Sequence, residues 1–196
     1  MGQVRRIGLR VIAGSLKGRR LNAPSWEGLR PTSDKLRETI FNILAPRIAG
    51  ARVLDAYAGT GALGIEALSR GARAVTFIER DRRAQTLIEE NLARCGIADG
   101  YAIIRASVDS ALTTLRKRGR TPFSDDGFDV VLLDPPYHDA APDATVAAAG
   151  DVMTGHGVLV LEHARTQRPA ETAGRLVRTR EVASGDSALT LYELKT

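Results

Sequence analysis

The chain has 196 residues, enough for one compact domain with a small appendage. Apolar residues make up 43% and charged residues 26%, the balance of a globular protein, which argues against a disordered or fibrous chain. No apolar run reaches the roughly 20 residues that a membrane helix needs. Met1–Gly14 lacks the apolar core of a secretory signal. Cys95 is the only cysteine, so no disulfide framework is expected, and a reducing cytoplasmic setting fits. His138, His156 and His163 show no ligand spacing, and no metal is expected.

The formal charge of +5 is spread unevenly. Residues 1–50 carry a net +7, and the other 146 residues a net −2. A basic segment of this kind attracts polyanions, because Lys and Arg release the counterions condensed on a phosphate backbone. Arg10, Lys17, Arg19, Arg20, Arg30 and Arg37 belong to it.

In chain order, Leu9–Ala13 and Gly18–Leu21 alternate in the strand manner around a Gly-bounded turn, which predicts a β-hairpin arm. Thr32 or Ser33 is placed to cap a helix after Pro31. Leu36, Ile40, Ile43 and Leu44 share its apolar face, and it is expected to end near Pro46. Strands are then predicted at Arg52–Tyr57, Ala74–Glu79, Tyr101–Arg105, Phe128–Asp134 and Gly157–Glu162. Helices are expected between them at Ala62–Arg70, Arg82–Cys95, Val108–Lys117 and about Ala141–Val152. This alternation implies right-handed crossovers and a parallel, doubly wound α/β sheet. Leu176–Val182 and Ala188–Leu194, joined by a Gly-Asp turn, predict a closing antiparallel hairpin.

Asp55-Ala-Tyr-Ala-Gly-Thr-Gly-Ala-Leu-Gly64 links the first of those strands to a helix, with Gly59, Gly61 and Gly64 in G-x-G-x-x-G spacing. Glu79 follows at the end of the next strand, where an acid accepts hydrogen bonds from ribose hydroxyls. Asp55 decides which nucleotide is meant. Its carboxylate would repel a pyrophosphate, which seeks bare helix N–H groups, and would favour the ammonium and sulfonium of S-adenosylmethionine. Tyr57, Thr60 and Arg80 flank this site. The adenine is expected near Ala106 and Ser107, with Ile78 beside it.

Phe128-Asp-Val-Val-Leu-Leu-Asp-Pro-Pro-Tyr137 carries the strongest chemical signal. Pro135 and Pro136 offer no N–H and hold φ near −65°. The loop therefore presents two acceptors, the Asp134 carboxylate and the Pro135 carbonyl. They match the two N–H donors of an amino group on a base, and accepting those bonds aims the nitrogen lone pair. Tyr137 offers a face on which an unpaired or flipped base can stack.

Arg10–Leu21, Arg30–Leu44 and Leu54–Arg70, taken with Asp134-Pro-Pro-Tyr137, resemble the bacterial methyltransferases that modify guanine N2 in small-subunit ribosomal RNA. The resemblance covers nearly the whole chain and implies a 16S rRNA (guanine(966)-N(2))-methyltransferase. The fold it implies is class I, Rossmann-like, with a seven-stranded mostly parallel sheet and an antiparallel C-terminal hairpin. Residues 1–30 would form the RNA-binding arm and residues 31–196 the methyltransferase domain. Asp55, Gly59, Gly61 and Glu79 would then hold S-adenosylmethionine, and Asp134–Tyr137 the guanine. Arg30, Thr32 and Arg37 would lie near the active-site mouth, touching substrate or cofactor. The implied partner is 16S rRNA in an assembled or partly assembled subunit, met by a monomer. The motif ends in Tyr137, where phenylalanine is common in that family; either ring can stack.

Asp-Pro-Pro-Tyr alone suits adenine N6 or cytosine N4 equally well, so DNA or RNA amino-methylation on those bases is the nearest alternative. A dinucleotide oxidoreductase would leave Asp55 and Asp134 without a role, and a non-catalytic RNA chaperone would have no need to keep Asp134 and Glu79.

Overall fold

The computed structural model describes residues 8–26, 32–119, 121–123, 126–136 and 142–195. Helix α1 (Asp34–Ile48) begins where the Ser33 side chain accepts the Leu36 N–H, and it buries Leu36, Ile40, Phe41 and Leu44. It runs past the expected stop, with Pro46 inside its last turn. There the ring removes a single N–H from the ladder at an exposed position, so the helix tolerates it.

The α/β alternation follows as expected: β1 (Arg52–Ala56), α2 (Ala62–Ser69), β2 (Ala74–Ile78), α3 (Arg82–Cys95), β3 (Tyr101–Ile104), α4 (Val108–Arg118), β4 (Phe128–Leu133), α5 (Pro142–Gly150) and β5 (Met153–Ala164). A two-residue β6 (Thr172–Ala173) precedes β7 (Leu176–Ser184) and β8 (Ser187–Leu194). The sheet order is β3-β2-β1-β4-β5-β8-β7-β6, so the seven predicted strands gain one short edge strand. Strands β1 to β5 pair in parallel, and β8 pairs antiparallel with both β5 and β7.

Apolar side chains cover both sheet faces. Arm, α1, α2 and α3 pack on one face, through Val11, Phe41, Ile65, Ile88 and their neighbours. Helices α4 and α5 pack on the other, through Leu112, Leu115, Val146 and Ala149. Strand order reverses between β1 and β4, which opens a crevice beyond their C-terminal ends, the general ligand site of such sheets.

The N-terminal hairpin forms, but its strands shrink to a single bridge, Arg10 to Arg20, with further N–H bonds from Val11 to Arg19 O and from Leu21 to Leu9 O. The remaining donors turn to α2. The buried Glu66 carboxylate accepts the N–H groups of Ile12 and Ala13 at 2.7 and 2.9 Å, and Arg70 pairs with the same carboxylate at 2.7 Å. Leu9, Val11 and Leu21 enter the core beside α1 and α2. Asn91 of α3 receives the Asn22 N–H at 2.6 Å, and its amide donates to Asn22 O and to Thr60 O in the loop after β1. The described part of the arm is thus fastened to the two helices that carry the glycine loop.

Gly14 makes that docking possible. Its φ is +82°, and a Cβ there would stand 1.9 Å from the Ser69 carbonyl oxygen. Since that obstacle is backbone, Gly14→Ala should cost about 1–3 kcal/mol of stability. Limited proteolysis should then cut the arm between residues 9 and 22 faster than in the wild type. Equal cleavage rates would show that this contact does not hold the arm.

Candidate active site

The C-terminal ends of β1, β2, β4 and β5 bring Asp55, Glu79, Asp134 and Glu162 to one edge of the parallel sheet. Asp55 is almost wholly buried. Its Oδ2 accepts the Gly64 N–H at 2.8 Å, while Oδ1 is buried with no hydrogen-bond partner among the described residues. That bond closes the loop onto the first turn of α2. Gly64 must be glycine for this approach, since a Cβ would lie 2.2 Å from the Phe77 ring. Tyr57 lies in the left-handed region at φ 64°, a conformation that a non-glycine residue holds only under constraint from its surroundings.

Glu79 ties the loop to β2. One oxygen accepts the Gly59 N–H at 2.9 Å and the other the Asp81 N–H at 2.8 Å, which leaves further lone pairs for ribose hydroxyls. Thr60 and Gly61 are buried within the turn. Arg80 is exposed next to Glu79, and Ile78 is fully buried beneath it. Beyond β3, Ala106 is half-buried, and Ser107 caps α4 by accepting the Ser110 N–H. The structure therefore groups the predicted cofactor residues around one loop and the adjoining strand ends.

Asp134 follows β4 directly and is half-buried, and Pro135 and Pro136 continue outward with rising exposure. The Thr32 hydroxyl donates to Asp134 Oδ2 at 2.6 Å and so joins the approach to α1 to the motif. Thr32 thus lies against Asp134, with its hydroxyl proton committed to that carboxylate. Tyr137 and Arg30 fall outside the described residues.

The expectation that Arg37 touches RNA or cofactor is corrected. Its side chain is wholly buried, and it donates to the Arg10 carbonyl at 2.8 Å and to Asp34 at 2.7 Å. The helical turn that points Leu36 and Ile40 inward carries Arg37 with them, and it fastens the arm to α1. Arg10, Lys17, Arg19 and Arg20 are exposed, as a polyanion-binding role requires.

Sequence reading missed three side chains here. Glu162 at the tip of β5 adjoins Asp134, while Asn91 and Glu66 join arm to loop. An acid closing the apolar run Gly157–Leu161 is the one signal that pointed to Glu162. Asn91 and Glu66 resemble ordinary helix-surface residues until the arm is folded over them.

The acids perturb one another. Burial raises the Asp55 carboxyl well above its ordinary range, against the Gly64 N–H, and the charges of Asp134 and Glu79 raise it further. Burial also raises Asp134, while the hydrogen bond from Thr32 and the neighbouring Glu162 oppose the rise. The crevice thus has a negative bias, a buried acceptor without a partner and backbone drawn back by glycine. This donor set fits the ammonium, sulfonium and ribose of S-adenosylmethionine.

A doubly wound sheet with an antiparallel closing hairpin, a glycine turn after β1, an acid ending β2 and Asp-Pro-Pro after β4 defines a class I S-adenosylmethionine-dependent methyltransferase. The chain belongs to the family described as Conserved hypothetical protein 95, whose model matches residues 9–193. It is 34% identical over 188 residues to the Haemophilus influenzae protein named Ribosomal RNA small subunit methyltransferase D, covering 94% of this chain and 93% of that one. The Escherichia coli K12 protein of the same name is 42% identical over 138 residues, covering 70% of this chain and 65% of its own length. Among solved structures, a hypothetical protein of Thermus thermophilus superposes with a TM-score of 0.79 at 28% identity, covering 94% and 99% of the two chains.

Asp55→Asn tests the cation site. An asparagine keeps the oxygen that receives the Gly64 N–H and removes the buried charge. Affinity for S-adenosylmethionine should fall by about tenfold or more in calorimetry. The folded-state pKa of Asp55 is raised, so the folded protein resists ionisation, and the wild type loses stability as pH climbs upward from the ordinary value of 3.8. Without cofactor, the variant's melting temperature should therefore gain on the wild type's as pH rises from about 4. A gap that narrows with rising pH would contradict this account.

Proposed function

We propose that this chain transfers a methyl group from S-adenosylmethionine to the exocyclic N2 of a guanine in 16S rRNA, at the position numbered 966, within an assembled or partly assembled small subunit. The observation that carries the reading is the Asp134 carboxylate, held by the Thr32 hydroxyl at the sheet's switch point beside the glycine loop. Relatives named Ribosomal RNA small subunit methyltransferase D support ribosomal RNA as the substrate class.

S-adenosylmethionine supplies an electrophilic methyl carbon when bound. Asp55 and Glu79 hold its cationic and ribose portions, and the Gly59–Gly61 turn lets the backbone approach. Asp134 and the Pro135 carbonyl accept the two N–H bonds of the amine, turning its lone pair out of conjugation and towards the methyl group. Such alignment supplies most of the rate gain available to a reaction of this kind. Asp134 then receives the proton that the alkylated nitrogen releases. The ring of Tyr137 serves as the stacking face for the splayed base.

Residues 1–30 act as the RNA-binding arm, with Arg10, Lys17, Arg19 and Arg20 towards the phosphates and Arg30 adding to the basic charge of the segment. The enzyme works as a cytoplasmic monomer. No helix among the described residues is long and apolar enough to cross a membrane.

Labelled S-adenosylmethionine, incubated with unmethylated small subunits, free rRNA and duplex DNA, should mark one guanine at N2 in the ribosomal substrate. Label on adenine or cytosine, or in DNA alone, would overturn the assignment. Asp134→Ala should slow transfer by about a hundredfold or more while cofactor affinity stays within about threefold. Turnover near the wild-type rate would remove Asp134 from its place.

Replacing Lys17, Arg19 and Arg20 together with alanine should weaken RNA binding and make its salt dependence shallower by about two to three units of slope. An unchanged slope would place the RNA elsewhere.

A further inference from the structure

We propose that Glu162 is a positioning residue for methyl transfer: as the acid it donates a hydrogen bond to the Asp134 carboxylate and, with Thr32, fixes the orientation in which that carboxylate receives the amine. The inference rests on the reading of Asp134 given above.

The placement follows from the sheet. Leu133 of β4 is in register with Leu161 of β5, so Asp134 and Glu162 are the next residues along two adjacent parallel strands. Strand alternation sends both to the face that Leu132 and Val160 share, the side covered by α1 and α2. The two carboxyl groups therefore adjoin, close enough that Glu162 acts on the ionisation of Asp134. A bond between two carboxyl groups needs one proton, because two bare carboxylates at that separation repel. Glu162 is 6% exposed, and from β8 the Ser187 hydroxyl donates to its Oε1 at 3.2 Å. Glu162 is thus held by Ser187 through one oxygen and adjoins Asp134 along the strand edge.

The proposed bond completes a relay of donors from both flanks: Ser187 donates to Glu162 and Thr32 donates to Asp134, with Glu162 bridging to Asp134 between them. An O–H donor facing a carboxylate makes a short, charge-assisted bond, which holds a rotamer more firmly than packing does. Both bonds oppose the upward push of burial on Asp134 and so favour the ionised form that accepts N–H donors. Glu162 is too withdrawn to meet the base, and it acts through Asp134.

The full-length protein with Glu162→Gln or Glu162→Leu separates this role from bulk packing. Glutamine keeps a donor for Asp134 and an acceptor for Ser187, whereas leucine fills the space without either. Single-turnover methylation of small subunits lacking the mark, read beside calorimetric cofactor affinity, provides the comparison. The glutamine variant should stay within about fivefold of the wild-type rate, and the leucine variant should fall by about 30-fold, with cofactor affinity unchanged in both. A leucine rate within fivefold of wild type, or a glutamine rate more than fivefold below it, overturns the inference. Should the leucine variant lose the cofactor through misfolding, the glutamine rate decides alone by the same fivefold limit. If the wild type itself transfers no methyl group to the subunit, the reading of Asp134 fails first and this inference with it.

Discussion

Carboxylates gathered at the C-terminal edge of a parallel sheet repel one another, and most of what surrounds Asp55, Glu79 and Asp134 relieves that repulsion. Backbone N–H groups from Gly59, Gly64 and Asp81 take part of the charge, and the Thr32 hydroxyl takes more. Among the described residues, Asp55 Oδ1 is left buried without a donor. A buried acceptor without a partner costs stability, and such a cost persists where a ligand supplies what the protein lacks. The same arrangement explains why a pyrophosphate does not suit this crevice although its glycine spacing is that of a dinucleotide loop.

Around that cluster the fold links elements that stand far apart in the chain. Thr32 precedes α1, Asp134 follows β4 and Glu162 lies near the end of β5, yet they come together at one edge, because parallel strands deliver their C-terminal ends to the same side. The arm enters this linkage through Glu66 and Asn91. Asn91 bonds both Asn22 of the arm and Thr60 of the glycine loop, so the basic arm and the glycine turn share one buried amide. Glu66 stands on α2, the helix that the same turn opens. Arm and methyltransferase body thus behave as one mechanical unit over the described residues.

The order of strands and helices was legible in the chain because each apolar run has the period of its element, from Val53–Ala56 through Phe128–Leu133. The glycine turn with Asp55 and Glu79, and the Asp-Pro-Pro run, were legible because their chemistry is local: a turn, a rigid dipeptide, an acid at a strand end. Arg37 was misplaced for the opposite reason. A guanidinium in a basic segment looks like a phosphate contact until the helix turns it inward to the Arg10 carbonyl. The arm's strands were likewise read too long, since Glu66 takes the N–H groups of Ile12 and Ala13.

The sequence by itself therefore determined the α/β architecture, the glycine loop with its two acids and the Asp-Pro-Pro run after β4, all properties of short contiguous segments. Tertiary structure alone decided which side chains hold those segments in place: Thr32 and Glu162 on Asp134, Glu66 and Asn91 on the arm. Their partners lie from 28 to 102 residues away. No local pattern encodes a hydrogen bond across such a span, because only the register of β4 with β5 and the packing of α1, α2 and α3 bring its two ends together.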